Sequence, residues 1–292
     1  MQTYFLVTKP WIVFANLIAA TAGFLLAARG RPDMALFPPA LAGIALIVAS
    51  GCVFNNCIDR DLDRKMARTR GRALSTRALS LPAGLLWASL LGITGTAVLW
   101  IWTNGLCLTV VSAGFAVYVG AYSLYLKRHS VHSTVIGSLA GAAPPLAAYC
   151  AVTGRLDLGA ALVAAIFSLW QIPHSYAITI YRFDDYAAAG LPVLPVVAGI
   201  PATRHQIAGY ILAFTLAAQA LAFCGYAGFA YLLAATAIGL CWLALALGGG
   251  RTSGDRQWAR KLYVCSMVAI VVLCAMMSLD AVPGPWGPPF FL

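Results

Sequence analysis

The amino-acid sequence predicts an all-α integral membrane protein, a bundle of about nine transmembrane helices. Of its 292 residues, 61% are hydrophobic and 10% are charged, whereas soluble domains carry about 25% charged residues. The chain also contains nine apolar segments that each approach the roughly 20 residues needed to cross the hydrocarbon core as a helix. Their apolar runs are unbroken, whereas the strands of a membrane barrel would alternate in hydrophobicity.

The nine segments can be placed along the chain to within a few residues. They cover residues 11–28, 40–57, 81–102, 106–126, 132–152, 158–180, 205–224, 227–247 and 260–280. In lipid, backbone polar groups must be paired within the segment, and a helix achieves this. No linker or low-complexity region separates the segments, so we expect one transmembrane domain over residues 1–292.

The distribution of Lys and Arg predicts an N-in/C-out orientation. With the N-terminus in the cytoplasm, only Arg29, Arg31 and Arg155 of the 19 basic residues fall on the other side. The sixteen cytoplasmic ones are Lys9, Arg60, Arg64, Lys65, Arg68, Arg70, Arg72, Arg77, Lys127, Arg128, Arg182, Arg204, Arg251, Arg256, Arg260 and Lys261. This asymmetry follows the positive-inside rule. Because the basic residues lie in loops between apolar runs, topology explains the net charge of +10 better than nucleic-acid binding does.

The acidic residues are few and concentrated in two places. The chain has nine acidic residues, all of them Asp, and five fall within residues 59–63 and 184–185. In the predicted orientation both segments lie on the cytoplasmic side. Carboxylates beside hydrocarbon are costly and mark functional sites, so we expect the chemistry at this membrane face.

The first Asp segment has helical spacing. Asn55, Asp59 and Asp63 lie four residues apart and stack on one helix face. The two carboxylates are then about 6 Å apart along the axis, where they repel each other unless a cation lies beside them. Hard oxygen ligands favour Mg²⁺. Asp61 points to another face, where we expect it to pair with Lys65 at i+4.

A run of cations follows the carboxylates. Arg64, Lys65, Arg68 and Arg72 lie within nine residues, and the guanidinium group binds phosphate oxygens bidentately. A carboxylate pair beside such a cluster predicts a Mg²⁺–diphosphate site. The alternative is a solvated helix end that forms ion pairs with its own arginines.

The second segment ends the sixth span. His174 follows Pro173, which interrupts the helical hydrogen bonds and opens a cavity, and Arg182 and Asp185 come next in the chain. His174 has the chemistry to ligate iron or transfer a proton, the alternative being a hydrogen-bonded core histidine. Lys127 closes span four, either as an anion ligand or as a positive-inside anchor, and the small residues of 137–145 predict close helix packing.

These motifs carry a family resemblance. Asn55, Asp59 and Asp63, followed by Arg68, Thr69 and Arg72, resemble the first Asp motif of the UbiA-type intramembrane prenyltransferases. Within that superfamily the chain is similar to the heme O synthases from about residue 4 to 280. The residues that carry this similarity are Thr8, Lys9 and Pro10, Asn55 and Asn56, the segments 122–128 and 141–145, Pro173 and His174, Asp185 and Tyr186, and the segment 192–195.

The resemblance implies a nine-helix bundle with a lateral opening to lipid in a bacterial-type inner membrane, with the active site towards the cytoplasm. It implies Mg²⁺-dependent transfer of farnesyl from farnesyl diphosphate to a vinyl group of heme b, with addition of water. The product is heme O, for heme–copper oxidases, and a downstream heme-accepting protein is an expected partner. The implied site comprises Asn55, Asp59, Asp63 and Asp185 as catalytic residues, Asp59, Asp63 and Asp185 as metal ligands, Arg64, Lys65, Arg68, Arg72, Lys127 and Arg182 as diphosphate ligands, and His174 as the heme contact.

Two features depart from the quinone-type members of the superfamily. Those members usually carry Asn-Asp where this chain has Asn55 and Asn56. They also have a full DxxxD second motif, where this chain has Arg182 and Tyr186. Both features point away from quinone substrates. The alternatives are a quinone or other aromatic prenyltransferase, which would not need His174, and a non-catalytic heme carrier or transporter, which would place its ionisable groups near the midplane.

Overall fold

The structure, a computed structural model, describes residues 2–249 and 254–283. Its regular elements in that part of the chain are helices, apart from an isolated β-bridge between Ala227 and Ala281. Its α-helices are α1 (Gln2–Leu6), α2 (Pro10–Ala28), α3 (Phe37–Ile58), α4 (Arg60–Lys65), α5 (Leu81–Trp102), α6 (Gly105–Phe115), α7 (Lys127–His129), α8 (Ser133–Thr153), α9 (Leu158–Tyr181), α10 (Phe183–Ala188), α11 (Leu194–Val197), α12 (Gly199–Phe223), α13 (Phe229–Leu247) and α14 (Asp255–Leu279). A π-helix, Ala116–Leu126, joins α6 to α7. The predicted all-α class is confirmed.

Nine helices of the described ranges are long and apolar enough to cross a membrane, counting α6, the π-helix and α7 as one continuous helix. They coincide with the nine predicted segments, and the largest differences are at two starts. Helix α12 begins six residues before the predicted segment because Pro201 lies in its first turn, where a proline is tolerated. Helix α14 begins five residues early because its first turn is polar. Arg251, one of the sixteen residues assigned to the cytoplasm, and residues 284–292 lie outside the described residues.

Helix α8 packs in the interior of the bundle, against α2, α6 and α9. Small residues permit this close packing. A Cβ added at Gly23 of α2 would overlap the carbonyl oxygen of Pro145, and one at Gly114 would overlap the Cβ of Ala143. The predicted role of the 137–145 stretch in close packing is confirmed.

The outer surface of the bundle is apolar. Trp11, Ile93 and Trp100 are between 68% and 83% exposed, which a soluble protein would not tolerate over such an area. The short helices α4 and α10 lie at one end of the bundle, within the connections α3–α5 and α9–α12. A small apolar cluster joins these two connections and contains Leu62, Met66, Ala189, Leu191 and Val193. The two Asp segments are therefore neighbours at this end, which we call the motif end.

Candidate active site

The first Asp segment keeps its helical register across the junction of α3 and α4. The backbone N–H of Asp59 donates to the carbonyl of Asn55 at 2.9 Å, and that of Asp63 donates to the carbonyl of Asp59 at 2.8 Å. Asn55, Asp59 and Asp63 therefore stand one turn apart, as the spacing predicts. Asn55 Nδ2 donates to Asp59 Oδ2 at 2.8 Å.

Both carboxylates are buried, and each has a cationic partner. Asp59 is 1% exposed and Asp63 is 5% exposed. The Lys127 ammonium forms an ion pair with Asp59 Oδ2, and Arg72 Nη1 donates to both carboxylate oxygens of Asp63 at 2.9 Å. Asp59 Oδ1 is buried and has no hydrogen-bond partner within the described part of the chain. A buried anionic oxygen without a partner is costly, so this atom fits a bound cation.

The N-terminal segment reaches into the same site. Lys9 Nζ donates to Asn55 Oδ1 at 2.6 Å, and Asn56 Nδ2 donates to the carbonyl of Val7 at 2.8 Å. Lys9 adopts a left-handed backbone conformation, with φ of 54°, immediately before Pro10 begins α2. Burial lowers the pKa of Lys9 to about 8. The sequence alone places Lys9 only in the family motif and among the cytoplasmic cations, because a lone cation before a span is typical of a topogenic anchor.

The π-helix brings Lys127 to Asp59. A π-helix closes i→i+5 hydrogen bonds and turns about 82° per residue, whereas an α-helix turns about 100°. At π spacing Tyr118, Ser123 and Lys127 share one face within about 50°. At α spacing Lys127 would lie about 180° from Tyr118. Ser123 Oγ accepts a hydrogen bond from Asn55 Nδ2 at 3.0 Å, which fixes this face against α3.

The second Asp segment contributes a tether. Asp185 Oδ1 accepts a hydrogen bond from the backbone N–H of Ala67 at 2.9 Å, and Arg182 lies over the ring of Tyr181 at 4.6 Å. No group of three or more acidic, His or Cys side chains that could hold a metal occurs in residues 2–249 and 254–283. The structure therefore does not assemble Asp59, Asp63 and Asp185 as one ligand set, and a metal contact from Asp185 stays a prediction.

One expected ion pair is wrong. Asp61 does not pair with Lys65, because both of its carboxylate oxygens accept hydrogen bonds from Arg128 at 2.8 Å. These bonds hold the pKa of Asp61 well below its usual range. Arg64 Nε donates to the carbonyl of Ser75 at 2.8 Å, while Lys65 and Arg68 are exposed around α4. Of the predicted diphosphate ligands, Arg72 and Lys127 are the two that contact the buried carboxylates.

A cavity of about 310 Å³ opens from this site into the bundle. Asn55, Lys127 and Tyr186 line it at the motif end. Ile47, also in its wall, precedes Asn55 by eight residues on α3 and so lies about 12 Å deeper. The walls come from α2, α3, α6, the π-helix, α8 and α9, and most of their side chains are apolar or aromatic. The volume of this cavity is at the lower end of the range for small-molecule sites, and its apolar walls suit an apolar substrate.

His174 lies on another face of α9. Its Nδ1 forms a hydrogen bond with Ser266 Oγ at 2.7 Å, and its ring stacks on Trp170 with centroids 4.6 Å apart. Gln171 and Ser175 of the same helix line the cavity, and His174 is not among the lining residues. His174 therefore lies at the interface of α9 and α14, which agrees with the alternative of a hydrogen-bonded core histidine. A contact between His174 and heme stays a prediction.

The nine membrane-spanning helices of the described residues, with buried, cation-paired carboxylates beside the residues that line an apolar cavity, define an intramembrane prenyltransferase. The chain belongs to the UbiA prenyltransferase family, whose sequence pattern matches residues 16–287.

Similar proteins within this family are named protoheme IX farnesyltransferase. The chain is 56% identical over 279 residues to the protoheme IX farnesyltransferase of Klebsiella pneumoniae subsp. pneumoniae, covering 96% of this chain and 95% of the relative. It is 55% identical over 279 residues to the protein of that name from Escherichia coli O9:H4, covering 96% and 94%.

Solved structures share the fold at low sequence identity. A structure described as digeranylgeranylglyceryl phosphate synthase superposes with a TM-score of 0.79 at 14% identity, covering 96% of this chain and 97% of that one. A UbiA homologue from Archaeoglobus fulgidus, bound to GPP and Mg²⁺, superposes with a TM-score of 0.69 at 13% identity, covering 95% and 99%.

Proposed function

We propose that this protein transfers the farnesyl group of farnesyl diphosphate to a vinyl group of heme b, with addition of water, and so makes heme O for heme–copper oxidases. The observation that carries the proposal is the unpartnered, buried Oδ1 of Asp59, a carboxylate that contacts Asn55 and Lys127, which both line an apolar cavity. Relatives named protoheme IX farnesyltransferase, 55–56% identical over 96% of the chain, support the choice of substrates.

The donor set fits Mg²⁺. Asp59 and Asp63 would hold it with help from Asn55, because all three offer hard oxygen atoms, and Asp185 would complete the shell. When bound, Mg²⁺ neutralises diphosphate oxygens and stabilises the departing group. Lys127 and Arg72 now neutralise the two carboxylates. With a metal ion neutralising the carboxylates instead, both side chains would be free to bind the diphosphate.

The cations of this chain stabilise the charge that develops as the allylic C–O bond breaks. Lys9, Arg72 and Lys127 reach the buried carboxylates or Asn55. Arg64, Lys65, Arg68 and Arg182 would act from the rim of the site. Fixed cations in a site that excludes water act strongly on a leaving anion without reorganising. The rings of Tyr118 and Tyr122 line the cavity next to them, where an aromatic face stabilises an allylic cation.

The site lies at the membrane face that we assign to the cytoplasm. That assignment rests on the asymmetry of the basic residues, which favours an N-in/C-out chain in a bacterial inner membrane. Diphosphates are soluble, so a cytoplasmic opening supplies the donor, while heme b and heme O partition into the bilayer. A heme-accepting protein would then collect the product.

The proposal is tested with purified protein in detergent, supplied with heme b, farnesyl diphosphate and Mg²⁺. We expect a pigment heavier by one farnesyl group and one hydroxyl, lost when EDTA is added. Asp59→Asn should lower the rate at least about 100-fold, since it removes the charge that holds the metal. Asp33→Asn, an exposed carboxylate before α3, is the matched control and should retain the rate.

Other outcomes identify the alternatives. Prenylation of a phenolic quinone precursor without any reaction of heme would assign the chain to quinone or aromatic prenyl transfer. Heme binding with no release of diphosphate would instead indicate a carrier.

A further inference from the structure

Helix α9 presents a carboxamide to the interior of the cavity. Gln171 and Ser175 lie one turn apart on its cavity face, while His174 faces α14. A Cβ at Gly141 of α8 would overlap Gln171 Oε1, so the glycine leaves the space that the Gln171 side chain occupies. The Gln171 carboxamide therefore packs against the backbone of Gly141.

The depth of Gln171 in the cavity follows from α8. Gly137 and Gly141 lie one turn apart on α8, and the Tyr122 ring covers Gly137, with Cδ2 at 2.9 Å from the position of a Cβ. Because α8 runs away from the motif end, Gln171 lies about 6 Å deeper than Tyr122. The Lys127 ammonium lies 6.0 Å from the centroid of the Tyr122 ring. Gln171 is thus one helical turn beyond the groups that surround the diphosphate end of the site.

The Gln171 side chain, which is half-buried in the cavity wall, forms no hydrogen bond with the described residues 2–249 and 254–283. Two other glutamines, in contrast, have partners in the protein. Gln219 Nε2 donates to Thr236 Oγ1 at 3.0 Å. Gln206 Oε1 accepts from the Tyr176 hydroxyl at 3.3 Å. A polar group in an apolar cavity costs free energy unless it is hydrogen-bonded. Both the acceptor and the donors of Gln171 are therefore available to a ligand in the cavity.

We propose that Gln171 binds the water molecule that completes the reaction, an inference that rests on the proposed function. The outer vinyl carbon bonds to C1 of the farnesyl group as the C1–O bond to diphosphate breaks. The positive charge then resides on the vinyl carbon next to the porphyrin ring. The oxygen of the water held by Gln171 Oε1 bonds to this carbon, and the proton it releases goes to the departing diphosphate.

A carboxamide suits this task. It is neutral across the working pH range and accepts a hydrogen bond from water, so it orients the water oxygen without adding a charge to the cavity. Without a water molecule in place, the same cation loses a proton from the adjacent carbon. The product is then an alkene, lighter by one water, and the two products report directly on whether water is positioned.

The test compares product identity, not rate alone. Gln171→Met keeps the length of the side chain and removes its hydrogen-bonding groups, Gln171→Glu restores an acceptor, and Gln219→Leu is the matched control outside the cavity. Each purified variant is incubated with heme b, farnesyl diphosphate and Mg²⁺ in ¹⁸O-labelled water, and the products are separated and weighed. We expect Gln171→Met to raise the ratio of dehydrated to hydrated product about five- to tenfold, the effect of one hydrogen bond on a transition state. Gln171→Glu should lower that ratio again, and Gln219→Leu should match the wild type.

Two results would overturn the inference while leaving the proposed function intact. One is a wild-type ratio in Gln171→Met, and the other is an equal rise in dehydrated product in the Gln219→Leu control. If the wild type yields no farnesylated heme at all, the proposed function itself fails.

Discussion

Asp185 Oδ1 accepts a hydrogen bond at 2.9 Å from the backbone N–H of Ala67, 118 residues earlier in the chain. This bond joins the connection that carries Arg72 to the connection that follows α9. The apolar cluster around Leu62 and Leu191 packs beside it. The second Asp segment therefore holds the cation-rich loop in place, whether or not it also contacts a metal.

Removing this tether should loosen the loop. We expect Asp185→Ala to speed amide exchange of residues 66–76 and to lower turnover about tenfold, because losing one charge-assisted hydrogen bond costs about 1.5–3 kcal/mol. Asp185→Asn keeps an acceptor for Ala67 and should preserve the exchange pattern. Asp184→Ala, an exposed neighbour, is the control. Equal amide exchange rates in Asp185→Ala and the wild type would show that the hydrogen bond from Ala67 to Asp185 does not hold the loop in place.

Asn56 connects the N-terminal segment to the site. It donates to Val7 at 2.8 Å and accepts from Arg72 Nη1 at 3.3 Å. Asn56→Asp loses the donor and sets a carboxylate oxygen against the Val7 carbonyl, at a cost of about 1–3 kcal/mol. We expect faster amide exchange in residues 2–9 and a higher KM for farnesyl diphosphate, since Lys9 is then no longer held beside Asn55.

A matched control for Asn56 lies at the other end of the bundle. Asn104 Nδ2 donates to the carbonyl of Cys150 at 2.9 Å, so Asn104→Asp breaks the same kind of bond away from the site. It should destabilise the protein to a similar degree and leave the KM unchanged. An equal rise in KM in both variants would attribute the effect to lost stability and not to the N-terminal segment.

The π-helix gives a test of register. Deleting Gly120 shortens Ala116–Leu126 by one residue. At α spacing the shortened segment would place Lys127 about 80° from Tyr118, compared with about 20° in the π-helix, and so turn its ammonium away from Asp59. We expect turnover to fall about 100-fold in a protein that still purifies as a helical monodisperse species. Gly120→Ala keeps the length, and a Cβ there meets no atom within 4 Å, so it should behave as the wild type. Full activity in the deletion variant would mean that Lys127 is not required at Asp59.

The sequence predicts the features that depend on local spacing. Apolar runs define the nine helices because lipid requires internal pairing of the backbone, and the i, i+4 interval stacks Asp59 and Asp63. Contacts between residues that are far apart in the chain cannot be predicted from local spacing. Lys9 reaches Asn55 across 46 residues, and Arg128 replaces Lys65 as the partner of Asp61 because the π-helix brings α7 against α4. The orientation of His174 depends on which face of α9 packs against α14, and the apolar pattern of a membrane helix does not distinguish its faces.

The Asp61–Arg128 pair predicts how stability depends on pH. Arg128 holds the folded pKa of Asp61 below its unfolded value of about 3.9, so the stabilisation is complete above that pH and is lost as the pH falls further. The gain is at most about 1 kcal/mol, because 55% of the Asp61 side chain is exposed and solvent screens the pair. In detergent, Asp61→Asn should lower the unfolding midpoint by a constant amount between pH 7 and pH 5, and the difference should shrink below about pH 4. A difference that stays the same down to pH 3, or one that also appears when Asp61→Asn is made in an Arg128→Gln background, would show that the pair does not act as an ion pair.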